Sequence, residues 1–250
     1  MSQVRIETTQ FATGIQARMV RVPPQTPAEY IVEALEIPPP RALLILNGGT
    51  ASLEPQLQEL LRRSIGDGLV HAIREEQITV ITGATDSGVF ALFGQGLSRH
   101  GLTAPCIGVT VEGPVTWPDK PHGDVPLEQH HSHFVLVTGD QWGSETQTMY
   151  ALAAALSTTC PSVAVFAGGG EIVIHEMQAN VHQGRTLILV AGSGRTTDAV
   201  LAVKAGQPTD DPRLSEIAHS GRIVVFDIRQ EPAALHALIR HICFEQVAPS

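Results

Sequence analysis

Five short segments of this 250-residue chain are rich in glycine, and four of them add hydroxyl side chains, a mixture suited to holding phosphate. They are Asn47-Gly48-Gly49-Thr50, Thr82-Gly83-Ala84-Thr85-Asp86-Ser87-Gly88, TGDQWGSET at 138–146, Ala167-Gly168-Gly169-Gly170-Glu171, and AGSGRTTD at 191–198. Glycine lets the backbone approach an oxyanion closely and takes dihedrals that other residues adopt only at a cost. Thr50, Thr85 and Thr146 add hydroxyl donors, and the free N–H groups of a following helix complete an anion site. Arg195 lies among glycines at a helix start, an unfavourable place for a cation unless an anion shares it. A guanidinium there can fork onto phosphate. No segment is a G-x-G-x-x-G after the first strand, and no Gly-Lys-Ser/Thr occurs, so neither the dinucleotide fingerprint nor the P-loop accounts for these loops.

Each polar residue also has a plainer reading. Ser144 with Gln147 fits a capping box, Asp86 fits a helix cap, and Asp198 fits either a cap or an orienter of Arg195. Glu145 in a first helical turn gains from the helix field, or accepts ribose hydroxyls. Trp142 is a candidate stacking surface for a base. His122, Asp124, Glu128, His130, His131 and His133 invite a metal, yet they lack a fixed ligand spacing, and a solvated loop is the better expectation. No Ser-His-Asp set is evident, and Ser144 is not in a G-x-S-x-G elbow.

The elements that must position these loops are legible in the hydrophobic pattern. Apolar runs at 42–47, 78–83, 106–111, 133–139, 162–168, 186–192 and 222–228 are nearly continuous in Val, Ile and Leu, as in strands covered on both faces. Helices are expected between most of them, at 87–99, 144–158, 171–183, 196–204 and 231–243. The clearest carries Leu53, Leu57, Leu61, Ile65, Leu69 and Ile73, one apolar residue in every four. Strand, glycine turn and helix in repetition predict an α/β, Rossmann-like three-layer domain with a mostly parallel sheet. Ligands of such sheets bind beyond the carboxyl ends of the strands. Residues 1–40 differ: two short strands around Thr13-Gly14, a helix at 27–35 and Pro38-Pro39-Pro40 suggest an N-terminal extension packed on a main domain of 41–250. The stretch 112–132 suits a lid, and Leu235, Leu238, Ile239 and Ile242 give the last helix a face for the sheet or another subunit.

Composition narrows the partners. Sixteen Lys+Arg against 25 Asp+Glu give a net charge of -9, which disfavours nucleic acid and anionic membranes at long range. The three separated cysteines suggest reduced thiols in a cytoplasmic protein. Neither a leader nor a spanning segment is expected, and symmetric self-association is.

The ordered series NGGT, TGATDSGV, TGDQWGSE, GGGEIVI and GSGRTTD resembles the SLOG superfamily, in particular its LSDAT branch related to the N-terminal cytosolic domain of TRPM (melastatin-type) channels. The likeness runs over about residues 40 to 206. It implies a Rossmann-like sheet and a nucleotide-derived ligand such as ADP-ribose, an NAD-related molecule or a cyclic nucleotide. It also implies a site lined by Gly48, Gly49, Thr50, Gly83, Thr85, Gly88, Gly143, Glu145, Gly169, Gly170, Gly192, Gly194 and Arg195. The related phosphoribohydrolases carry P-G-G-x-G-T-x-x-E, whose closing glutamate aligns with Glu176. Here Ile172 and Val173 replace the motif's glycine and threonine, so the tight turn and the hydroxyl are missing.

Three functions follow as expectations. The first is a sensor or carrier of a nucleotide-derived ligand, with no other cofactor assigned. The second is a nucleotide N-glycosidase with Glu145 and Glu176 as its catalytic carboxylates. The third is a structural or protein-binding domain with a degenerate pocket.

Overall fold

The computed structural model describes residues 4–49 and 54–245. Thr50 and Leu53, both invoked above, lie outside the described residues.

The expected strands and helices form, in three layers. A nine-stranded sheet has the order β1-β2-β8-β5-β4-β3-β9-β10-β11. Its strands are β1 (Arg5–Gln10), β2 (Gln16–Val22), β3 (Leu43–Gly48), β4 (Thr79–Thr82), β5 (Cys106–Val111), β8 (His133–Val137), β9 (Ser162–Ala167), β10 (Thr186–Ala191) and β11 (Ile223–Asp227). Only the β1–β2 hairpin pairs antiparallel, and β2 joins β8 in parallel, so residues 5–22 extend the main sheet. From β3 the chain walks outward through β4, β5 and β8. It then returns to lay β9 against the other side of β3. That reversal opens a crevice at the carboxyl ends of β3 and β9, where open α/β sheets bind ligands.

Alternation within strands explains their continuous apolar runs. Leu43 and Ile45 of β3 face one helical layer, and Leu44 and Leu46 face the other. The first layer holds α1 (Ala28–Leu35), α5 (Thr146–Leu156), α6 (Glu171–His182), α7 (Arg195–Lys204) and α8 (Pro212–Ala218). The second holds α2 (Pro55–Leu61), α3 (Val70–Glu76), α4 (Gly88–His100) and α9 (Pro232–Arg240). The α8 helix went unread in the sequence, although Asp211 caps it through the Arg213 N–H at 2.9 Å and Pro212 opens it.

Between α2 and α3 the chain runs on as a π-helical segment, Arg62–Leu69. A strict four-residue spacing drifts about 40° per step on an ordinary α-helix. The wider turns of a π segment take up that drift. Leu61, Ile65, Leu69 and Ile73 are accordingly all buried on one face. Helix α4 crosses this segment closely, since a Cβ on Gly96 would lie 2.0 Å from the Gly66 carbonyl oxygen. The last helix lays Leu235 and Ile239 on the sheet and continues as a π turn, His241–Glu245.

The stretch 112–132 is ordered. It forms a two-stranded ladder of β6 (Val115–Thr116) and β7 (Val125–Pro126) and bridges Thr85 through Leu127. The expectation of a solvated histidine loop holds at His122 and Asp124, which are exposed, but is overturned at His131, which is fully buried, and at Glu128, which is nearly so. The His131 Nδ1 lies 2.8 Å from Glu128 Oε2 and its Nε2 lies 2.7 Å from Thr82 Oγ1. Burial opposes charge on both residues, but their neighbours prevail: His131 and His130 lower the Glu128 pKa, and Cys106, followed by Glu128, raises that of His131. The buried carboxylate thus finds a partner within its own turn, and the Glu128 N–H ties this turn to the Ala84 carbonyl at 2.7 Å. Among the described residues no helix is long and apolar enough to cross a membrane.

Candidate ligand-binding site

A cavity of about 520 Å³ opens at the crevice. Gly48 and Gly49 reach it from the end of β3, Gly83 and Thr85 from β4, and Gly170 from β9. Glu145, Glu176 and Arg195 also line it. A second cavity of about 240 Å³ shares Gly49 and Arg195 and adds Gly169, Gly194 and the apolar side chains of Leu57, Leu61 and Val89.

Four helices start at the larger cavity. Ser87 is the N-cap of α4, Glu145 of α5 and Gly170 of α6, while Arg195 is the first residue of α7. None of these four starts has a side-chain cap hydrogen bond, but backbone carbonyls take several first-turn N–H groups: Val89 donates to Gly49, Thr146 to Gly143, Thr196 to Gly169 and Thr197 to Gly168. The expected caps are corrected accordingly. Asp86 is exposed and does not cap α4. Ser144 lies before the α5 start, and its hydroxyl donates to the Gln141 carbonyl at 2.7 Å.

Glycine geometry holds the loops open. Gly169 has φ +99°, and a Cβ there would meet Val173 Cγ2 at 2.5 Å. The carbonyls of the 168–170 loop turn toward α7. Thr197 Oγ1 donates to Gly168 O at 2.7 Å, and Thr196 Oγ1 donates to Gly170 O at 3.1 Å. In the 191–198 loop the Asp198 carboxylate accepts the Gly192 and Gly194 N–H groups, each at 2.9 Å. Asp198 therefore orients this loop rather than Arg195, and those two N–H groups are already engaged. Arg195 sits at φ +52°, exposed, with no ion-pair partner among the described residues. A side chain in the left-handed region at a helix start carries local strain, a common mark of functional loops.

The charged lining residues are Glu145, Glu171, Glu176 and Arg195. Glu171 pairs with Arg213, which Asp211 holds at 2.7 Å. Glu145 Oε2 accepts the Gly143 N–H at 2.9 Å, yet burial still raises its pKa. Glu176 has no donor to its carboxylate among the described residues, and burial, with Glu145 adding its charge, pushes its pKa up to about 8. Beneath them the Tyr150 hydroxyl donates to Asn47 Oδ1 at 2.8 Å, bracing the β3 turn.

Of the residues named from sequence, Gly48, Gly49, Gly83, Thr85, Glu145, Gly170, Glu176 and Arg195 line the larger cavity. Gly169 and Gly194 line the smaller one. Gly88, Gly143, Thr146 and Gly192 shape the loops and helix starts around them. Sequence reasoning did not name Ser87, Phe90, Val125, Met149, Glu171, Ile172 and Val173 as lining residues. Met149 was findable, one helical turn beyond Glu145. Val125, from a remote segment, carried no local signal. Trp142 and Ile172 leave exposed apolar surface at this cavity.

A family model described as "SLOG in TRPM, prokaryote" matches residues 41–237. The chain is 26% identical over 244 residues to the mouse (Mus musculus) transient receptor potential cation channel subfamily M member 2, covering 80% of this chain and 16% of the channel. It is 26% identical over 218 residues to the rat (Rattus norvegicus) protein of the same name, covering 71% of this chain and 14% of that protein. The matched region is thus about one sixth of the mouse channel subunit.

Proposed function

From the premise that the chain belongs to the prokaryotic SLOG-in-TRPM family, we propose that its main cavity binds a nucleotide-derived ligand and that the protein acts as a sensor or carrier of it. The ligand class is ADP-ribose-like, NAD-like or a cyclic nucleotide. The observation that carries this reading is the meeting of four uncapped helix starts and Arg195 at one crevice. Each helix start offers a partial positive charge to phosphate, and the α5 and α6 starts keep first-turn N–H groups, such as those of Gln147 and Ile172, without an acceptor among the described residues. Thr85 and Ser87 supply hydroxyls, and Trp142, Ile172 and Phe90 supply apolar surface for a base. Cavities of this size accept ligands of nucleotide dimensions. Gly88, Gly143, Thr146, Gly169, Gly192 and Gly194 serve by setting the loop backbone, and self-association of the domain belongs to the same proposal.

A second reading is supported by the carboxylate pair. Glu145 and Glu176 share the cavity, and the charge of the first raises the pKa of the second. Paired carboxyl groups of differing acidity suit acid–base work. At an N-glycosidic bond, an ionised Glu145 would draw the proton from an attacking water as its oxygen bonds to the anomeric carbon. The protonated Glu176 would give its proton to the departing base.

A thermal-shift screen with AMP, cyclic nucleotides, ADP-ribose, NAD and NADP, followed by chromatography of each tube, tests both. A dose-dependent rise in melting temperature with ligand recovered intact supports the sensor. Recovery of free base with ribose phosphate, or of nicotinamide, supports the hydrolase. No shift and no turnover with any of them rejects both and leaves a structural domain.

A further inference from the structure

We propose that the ligand of the main cavity carries a fixed positive charge beside its phosphate, so that the site takes a nucleotide with a cationic ring in preference to its neutral form. This rests on the nucleotide reading above.

The two kinds of charge in the site have different addresses. Arg195 stands where the two cavities meet, whereas Glu145 and Glu176 line the larger one alone. Phosphate chemistry accounts for the arginine and the helix starts. It does not account for two carboxylates in the same chamber, which repel an anion. Glu145 has at least the field of its own helix start and the Gly143 N–H. Glu176 lies five residues into α6, where that field has decayed, and no donor among the described residues reaches its carboxylate. Burial accordingly keeps it protonated at neutral pH, with its pKa at about 8.

Ribose hydroxyls can donate hydrogen bonds to such a pair but bring no charge, so one proton must stay. A fixed cation allows both carboxylates to ionise, and beside these partly buried groups that attraction is stronger than in bulk water. The remaining walls suit a flat cation. The exposed Trp142 and the largely buried Phe90 line the cavity, and cations are drawn to aromatic rings. An oxidised pyridine nucleotide has this combination of phosphate and cationic ring, and its reduced form has the same shape without the ring charge.

Titration calorimetry of the full chain at pH 7.5 with NAD+, NADH and ADP-ribose tests the inference. We expect NAD+ to bind at least about tenfold more tightly than NADH or ADP-ribose. In Glu176→Gln that ratio falls toward one, and Glu145→Gln provides the same test if the first variant fails to fold. Equal affinity for NAD+ and NADH overturns the charge preference while leaving the nucleotide reading standing. Tighter binding of ADP-ribose than NAD+ also overturns it and assigns the carboxylates to ribose hydroxyls. No binding of any of the three overturns this proposal together with the reading beneath it.

Discussion

Glu176 is held in a state that costs the fold stability as pH rises. Its pKa rises from the ordinary 4.5 to about 8, so between these values the folded protein keeps a proton that the unfolded chain releases. Stability then falls as pH rises, because the native state binds more protons than the unfolded one. The full benefit of the neutral form is present below about pH 4.5 and is lost by about pH 8. Glu176→Gln, permanently neutral, is expected to melt higher than wild type at pH 8 and about equally at pH 4.5. Calorimetry across that range checks this, and parallel wild-type and variant profiles count against it. Arg195 makes a similar trade through its backbone. At φ +52° glycine is relaxed where arginine is strained, so Arg195→Gly should gain about 1 kcal/mol of stability. The same change removes the guanidinium and should weaken AMP binding by about tenfold or more. Denaturant titration and calorimetry read the two effects separately, and a variant that loses both stability and affinity contradicts the trade.

Among the elements, the long second-layer helix is the one most exposed to small errors. Its π segment is pressed by α4 at Gly96 and by α9 at Gly68, where a Cβ would lie 2.8 Å from the Pro232 carbonyl oxygen. Rigid backbone on both sides leaves no flexible side chain to yield. Gly96→Ala should therefore cost about 1–3 kcal/mol or more, as overpacking does in close-packed cores. Gly101→Ala is a control from the same region, since nothing lies within 4 Å of its added Cβ, although φ +73° still imposes local strain. A shift in urea midpoint no larger for Gly96→Ala than for Gly101→Ala would count against the tight crossing. The Glu128–His131 pair plays a comparable role near the β4 turn, because it fastens the 112–132 stretch to the loop that presents Thr85.

For the molecule as a whole, the site lies where the outward walk of strands meets the return through β9. The cavity lining there joins α4 of one layer to α5, α6 and α7 of the other. Binding should therefore stabilise the whole fold against unfolding rather than one loop. A ligand at a hundred times its dissociation constant is expected to add about 2.7 kcal/mol. Melting curves over a concentration series of the best ligand from the screen check this, with one transition moving as a unit. A ligand that bound tightly but left the melting temperature unchanged would be inconsistent with a site spanning both layers.

The sequence by itself determined the layers, because burying a strand on both faces requires nearly continuous Val, Ile and Leu, and each run became a strand of the sheet. It also determined that glycine loops follow those strands, since only certain residues take the backbone angles those turns demand. Much of the cavity lining was legible on that account. Strand order was not, because parallel ladders are set by which neighbours bury each other, and that is a long-range choice. Tertiary structure alone decided that Glu145, Gly170, Glu176 and Arg195 share one chamber with Val125. It also decided that a histidine stretch read as solvated would close over a buried ion pair. For that pair the deciding quantity was desolvation. A carboxylate, an imidazole or a backbone N–H behaves according to what excludes water from it, and residues distant in the chain do that excluding.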